Sequence, residues 1–135
     1  HLPSWVDNRM VEVAEKGGDL ASIHAENKQK LIDFVKDRTG VSLNPNALII
    51  GFSRRAVPYK RSDFIFSDKK KVGELFKSGK IQIIFSGKAH PLDDRGKEIV
   101  ANIVALTKEY PNSVVFLENY DMTIGAMLVR GSDIW

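Results

Sequence analysis

The stretch Ala47-Leu48-Ile49-Ile50-Gly51-Phe52-Ser53-Arg54-Arg55 runs from a continuous apolar segment straight into paired cations, and its reading decides the fold. A run this short, rich in branched side chains and apolar on consecutive residues, is a strand buried on both faces, as in parallel sheets. Two further runs repeat it, Ile81-Gln82-Ile83-Ile84-Phe85 and Val114-Val115-Phe116-Leu117. Helical segments separate them, around Lys70 to Lys77 and from Gly96 to Tyr110, the latter with Ile99, Ile103, Val104 and Leu106 on one side. Strand and helix in alternation make βαβ units, so the fold class is α/β: a Rossmann-like, doubly wound parallel sheet with flanking helices. A last helix, Thr123 to Arg130, ends at Gly131, and Ser132-Asp133-Ile134-Trp135 reads as the start of a fourth strand.

Upstream of the sheet the texture is helical. Val6, Met10, Val11, Val13 and Ala14 are spaced like one helical face, and Gly17-Gly18 stops the run. A longer helix follows, with Asp19 or Ser22 as its cap, Leu20, Ile23, Leu31, Phe34 and Val35 at helical spacing, and Gly40 as its C-terminal stop. These two helices are polar outside and read as a lid or brace. Residues 1–42 are thus expected as a helical lead-in and residues 43–135 as a partial Rossmann-like lobe.

Composition bounds the function. With 135 residues, 43% of them hydrophobic, the chain suits one globular domain. No apolar run approaches the roughly 20 residues that span a bilayer, so no membrane partner is expected. The absence of cysteine excludes a disulfide scaffold, a thiolate metal site and a cysteine nucleophile, and fits the cytoplasm. The N-terminus, His1-Leu2-Pro3-Ser4-Trp5, lacks both an initiating Met and the pattern of a signal peptide, which suggests an excised or processed piece. Net charge, 20 − 17 = +3, is too small by itself to name a partner.

In doubly wound folds ligands sit at the carboxyl ends of the strands, which directs attention to three loops. The first, Ser53 to Arg61, holds Arg54, Arg55, Lys60 and Arg61. Four cations crowded at a strand end repel one another unless an anion balances them, and phosphate suits the Arg fork and the Lys point charge. A merely solvated basic loop is the alternative. The second, Ser86-Gly87-Lys88-Ala89-His90-Pro91, adds a glycine for close approach, a cation and an imidazole, although a lone histidine is more often structural. Asp93 and Asp94 beyond it suit the N-terminus of the next helix. In the third, Glu118-Asn119-Tyr120-Asp121-Met122, either Tyr120 stacks on a flat ligand or Asp121 merely caps the helix that starts at Thr123.

Other chemistries lack their motifs. No Gly-x-x-x-x-Gly-Lys-Ser/Thr, Gly-x-Gly-x-x-Gly or Gly-x-Ser-x-Gly occurs, and His1 and His24 stand apart from any metal-ligand spacing, so no metal is expected. Lys69-Lys70-Lys71 reads as the solvated start of a helix.

In combination, Ile50-Gly51-Phe52-Ser53-Arg54-Arg55 through Tyr59-Lys60-Arg61, then Phe85-Ser86-Gly87-Lys88-Ala89-His90-Pro91, then Val115-Phe116-Leu117-Glu118-Asn119-Tyr120-Asp121-Met122 resemble the α-glucan (glycogen/maltodextrin) phosphorylases. Order and spacing agree over most of Leu48 to Trp135, and His1-Leu2-Pro3-Ser4-Trp5 looks like the start of that family's C-terminal lobe.

The resemblance implies part of the C-terminal lobe of a two-lobed GT-B glycosyltransferase. It implies reversible phosphorolysis of α-1,4-glucan to glucose 1-phosphate, with pyridoxal 5′-phosphate acting through its phosphate. Arg55 and Lys60 match residues that hold the substrate phosphate, and Arg54 stands where a lysine near the cofactor phosphate is common. Tyr120, Asp121 and Met122 match the cofactor pocket, and Lys88 and His90 belong to a motif at the same edge. The family's cofactor lysine lies in Glu-Ala-Ser-Gly-Thr-x-x-Met-Lys, a segment this chain does not contain, so the chain alone is expected to be inactive. Glucan, inorganic phosphate and glucose 1-phosphate are the implied partners, and a homodimer through exposed apolar surface is a further expectation. The alternatives are a glycogen- or starch-synthase-like transferase and a non-catalytic module for phosphate or nucleic acid. For nucleic acid the +3 charge leaves a thin footprint, so none is expected.

Overall fold

Leu48–Ser53 (β1), Ile81–Ser86 (β2) and Val114–Leu117 (β3) form one parallel sheet in the order β1-β2-β3, with Leu48 opposite Ile81 and Ile83 opposite Val114. The computed structural model describes residues 19–135. The helix expected between Ser4 and Gly17 lies outside the described residues. Leu20–Thr39 (α1) precedes the sheet, Lys69–Lys77 (α2) and Asp94–Glu109 (α3) make the two crossovers, and Met122–Gly131 (α4) follows β3. The three expected strands and the expected helices that fall within these residues are all present, within about two residues at each end.

The strands are buried on both faces, as their unbroken apolar pattern requires. Alternate residues point to opposite sides. Ile49, Ile84, Val115 and Leu117 meet Leu31, Ile32 and Val35 of α1 and Ile124 and Leu128 of α4. Ile83, Phe85 and Val114 face the other way, onto Phe76 of α2 and Ile99, Ile103 and Leu106 of α3. An aromatic chain ties that second core together: Phe52 to Phe85 at 5.8 Å, Phe85 to Phe66 at 5.8 Å, Phe66 to Phe76 at 6.0 Å and Phe76 to Tyr110 at 5.3 Å between ring centroids. Each fully buried Ile, Leu or Phe contributes about 1.5–3 kcal/mol.

α1 is an integral layer of the fold, because Leu31 and Val35 are completely buried in the first core; of the lid or brace expected of it, core packing fits the brace and overturns the lid. Asp19 caps it, accepting from the Ala21 and Ser22 amides, and Gly40 ends it in the left-handed conformation. The basic loop also carries two single-turn 3-10 helices, Pro58–Lys60 and Phe64–Phe66.

After α4 the chain returns to the far edge of β1, where Ile134 bridges Ile50 in parallel sense. The expected fourth strand is present as this one bridge, with the Gly51 N–H donating to the Ile134 carbonyl at 2.8 Å. The order is therefore β3-β2-β1 followed by the returning segment, and the direction of winding reverses beside β1. That reversal is the topological switch point at which doubly wound sheets bind ligands.

Candidate functional site

The basic loop leaves β1 at this switch point. Arg54, Arg55 and Arg61 are exposed and Lys60 is half-buried. Among the described residues none of the four forms an ion pair. Two of them rest on rings instead: Lys60 Nζ lies 4.9 Å from the centroid of Tyr59, and the Arg61 guanidinium 3.7 Å from that of Phe64. Such contacts hold a cation without neutralising it, so the loop keeps its positive field. Arg61 itself sits in the left-handed region with φ 51°, and its carbonyl accepts from the Phe64 amide at 2.9 Å.

The loop after β2 is docked against the first. The Ala56 N–H donates to the Lys88 carbonyl at 3.1 Å, and Gly87 packs so closely on the Arg54 carbonyl that a Cβ there would collide with it. Lys88 thus contributes its backbone to the junction while its side chain stays exposed. His90 is exposed and serves its own turn: its Nδ1 accepts from the Leu92 N–H at 3.1 Å, and its carbonyl accepts from the Asp93 N–H. Asp93 caps α3 through the Gly96 amide at 2.9 Å.

The loop after β3 shares the edge but stands two strands away, about 10 Å from the first at the usual strand spacing. Asp121 caps α4, accepting from the Ile124 N–H at 2.8 Å. Tyr120 is half-buried, packs on the α1–α4 core and brings its hydroxyl over Gly125. Met122 is 87% exposed. The structure therefore brings the first two loops into contact and places the third alongside them on the same edge.

Among the described residues, a void of water size lies beneath the basic loop, lined by Phe52, Arg54, Ala56, Ser62 and Phe85 with others. The buried hydroxyls of Ser53 and Ser62 have no hydrogen-bond partner among the described residues. Both serines frame the loop at its base, one at the end of β1 and one just past Arg61. Neither stands out in the sequence, because a serine's burial is a tertiary property.

Comparisons in sequence bear on this arrangement. No protein-family model matches the chain. Glycogen phosphorylase of Aquifex aeolicus is 35% identical over 138 residues, covering 87% of this chain and 20% of that protein. Maltodextrin phosphorylase of Thermococcus litoralis is 33% identical over 133 residues, covering 87% of this chain and 16% of the relative. Maltodextrin phosphorylase of Streptococcus pneumoniae is 31% identical, covering 98% of this chain and 19% of the relative. By sequence the chain belongs to the α-glucan phosphorylase family. It spans about a fifth or less of the length of these curated phosphorylases.

One cluster of this phosphorylase segment escaped sequence reasoning altogether. Asp133 accepts from His24 Nε2 at 2.8 Å, from Lys28 Nζ at 2.7 Å and from the Ile49 amide at 2.7 Å. Burial pushes its carboxyl upward, but the Ile49 N–H, Lys28 and His24 together outweigh burial and hold it below the usual carboxylate range. The cluster lies at the start of β1, away from the loops, and ties α1 to the returning segment. The spacing of His24 and Lys28, one helical turn apart, was the only local hint.

Proposed function

We propose that this segment forms part of the C-terminal, GT-B lobe of a pyridoxal-phosphate-dependent α-glucan phosphorylase and supplies its phosphate-binding edge. The observation that carries the reading is the basic loop: four cations at the carboxyl end of β1, beside the switch point, with no ion-pair partner among the described residues. Phosphorolysis brings an anionic substrate to a glycosidic bond, and cations held in place by the fold stabilise the charge that develops as the bond breaks. Arg55 and Lys60 would hold the substrate phosphate, Arg55 by a planar fork and Lys60 as a point charge kept free by its seat on Tyr59.

The residues present fit the phosphate end of the cofactor. Arg54 would meet that phosphate, and the Ser53 hydroxyl, without a partner among the described residues, lies at the base of the same loop. Bound there, pyridoxal phosphate would supply a second phosphate group to the reaction. Tyr120 and Met122 would border its ring, with Asp121 acting mainly through the helix it caps. Lys88 and His90 would shape the edge, the first by its carbonyl and the second by its turn.

The test is phosphorolysis of an α-1,4-glucan by the complete protein that carries this segment. Arg55→Ala and Lys60→Ala should each lower turnover by at least about tenfold, since each removes a charge-assisted contact to phosphate. Near-normal glucose 1-phosphate release from both variants would overturn the assignment.

A further inference from the structure

We infer that Arg61 is a steering cation for the anionic co-substrate and that Phe64 is its positioning residue. The inference rests on the phosphate-edge reading above and gives a role to the loop cation that reading leaves without a contact. Arg61 occupies a strained backbone position: φ 51° and ψ 43° lie in the left-handed region, which glycine or asparagine enters at less cost. The turn itself asks only for that backbone. The Arg61 N–H donates to the Pro58 carbonyl at 3.1 Å and its carbonyl accepts from the Phe64 N–H at 2.9 Å, so main-chain atoms alone join the two single-turn helices. A long cationic side chain is therefore surplus to the turn.

The ring beside it supplies the reason. The guanidinium lies 3.7 Å from the centroid of Phe64, which is 55% exposed. Two residues on, Phe66 turns inward at 7% exposure and packs 5.8 Å from Phe85, whose ring in turn meets Phe52 of β1 at 5.8 Å. Ser62 is buried on the other side of the turn. The seat is thus anchored to the ends of β1 and β2 while the guanidinium itself stays exposed. A ring face holds a cation and leaves its charge intact, whereas a carboxylate would cancel it. Asp63, the acid closest in sequence, is exposed, forms no ion pair among the described residues and makes no capping bond. Counting it, residues 54–64 carry 4 − 1 = +3. A charge held in place attracts an anion without touching it. At about 10 Å in water, one unit charge raises the local concentration of a dianion roughly threefold at low salt. At about 0.5 M salt, where the screening length is about 4 Å, the effect nearly vanishes.

Inorganic phosphate titrated into the 135-residue chain, followed by amide NMR at low salt and at about 0.5 M sodium chloride, tests the inference. Arg61→Gln should weaken binding about threefold at low salt and by less than about 1.5-fold at high salt. Phe64→Leu, which keeps the bulk and removes the ring, should weaken it about twofold at low salt, and Phe64→Tyr should restore it. Arg61→Gly separates charge from structure: it relaxes the left-handed backbone, so it should unfold at no lower urea concentration than Arg61→Gln yet bind phosphate as weakly. Parental affinity in both Arg61 variants would overturn the steering role, as would a loss that persists undiminished at high salt, the mark of direct contact. Parental affinity in Phe64→Leu, or no rescue by Phe64→Tyr, would overturn the positioning role. Arg55→Ala keeps the two readings apart. Saturable phosphate shifts that are lost in Arg55→Ala but unaltered in the Arg61 and Phe64 variants sink this inference and leave the edge standing. No saturable response in the parent chain sinks the edge, and the steering residue with it.

Discussion

A methyl group added at Gly87 would collide with the Arg54 carbonyl, so the contact between the two basic-edge loops depends on a missing side chain. Neither backbone can retreat easily, because the Ala56 amide already donates to the Lys88 carbonyl beside it. Gly87→Ala is therefore expected to lower stability by about 1–3 kcal/mol, the usual cost of overpacking, and to weaken phosphate binding by displacing Arg54 and Arg55. Lys88→Ala, next door, should change stability by less than about 0.5 kcal/mol, because only its backbone takes part in the junction. Urea unfolding of both variants beside the parent chain checks the pair. Equal midpoints for Gly87→Ala and the parent would show that the loops are not locked together. Gly51 works similarly at the other side of the switch point, where a Cβ would meet the Ser132 hydroxyl and the Trp135 ring.

At the scale of elements, Asp121 poses a choice between ligand and cap that its sequence context alone leaves open. The hydrogen bond to Ile124 favours the cap, and a lost cap costs about 1 kcal/mol. Asp121→Ala should show that loss in thermal or urea unfolding, whereas Asp121→Asn or Asp121→Ser, which also cap, should not. In the complete protein the two capping variants should retain phosphorolysis; a collapse of activity in Asp121→Asn would mean the carboxylate charge itself serves the cofactor. The elements were legible because burial imposes periodicity: strands apolar on nearly every residue, helices apolar on one side, Gly40 and Gly131 at helix ends. The basic loop was legible because charge density shows in one dimension. What stayed hidden depends on pairing across the chain. No local pattern revealed that Ile134 joins β1 rather than β3, that α1 belongs to the core, or that Phe64 faces out while Phe66 faces in. The single-turn helices around Tyr59 and Ile65 were equally silent, since three residues are too few to show a period.

At the scale of the whole molecule, Asp133 is the point where α1, β1 and the returning segment are joined, through partners 105 and 109 residues away for Lys28 and His24. Lys28 is only 12% exposed at its side chain and also donates to the Ala47 carbonyl at 2.8 Å, so the ion pair is well shielded for a surface contact. Because the folded-state pKa of Asp133 lies below its unfolded value, the cluster stabilises the fold at pH values above the unfolded pKa of about 3.9. That contribution is lost progressively as the pH falls through the depressed folded-state pKa. Asp133→Asn should accordingly cost about 2 kcal/mol near neutrality, the scale of hydrogen bonds to a charged group, and should flatten the acid limb of the stability profile. Denaturation midpoints measured from pH 7 down to about pH 2 decide it: the parent and variant curves should converge at the acid end, as protonation strips from the parent what the substitution already removed. Parallel curves, separated by the same margin at every pH, would show that Asp133 supports the switch point by shape alone and that its charge is idle.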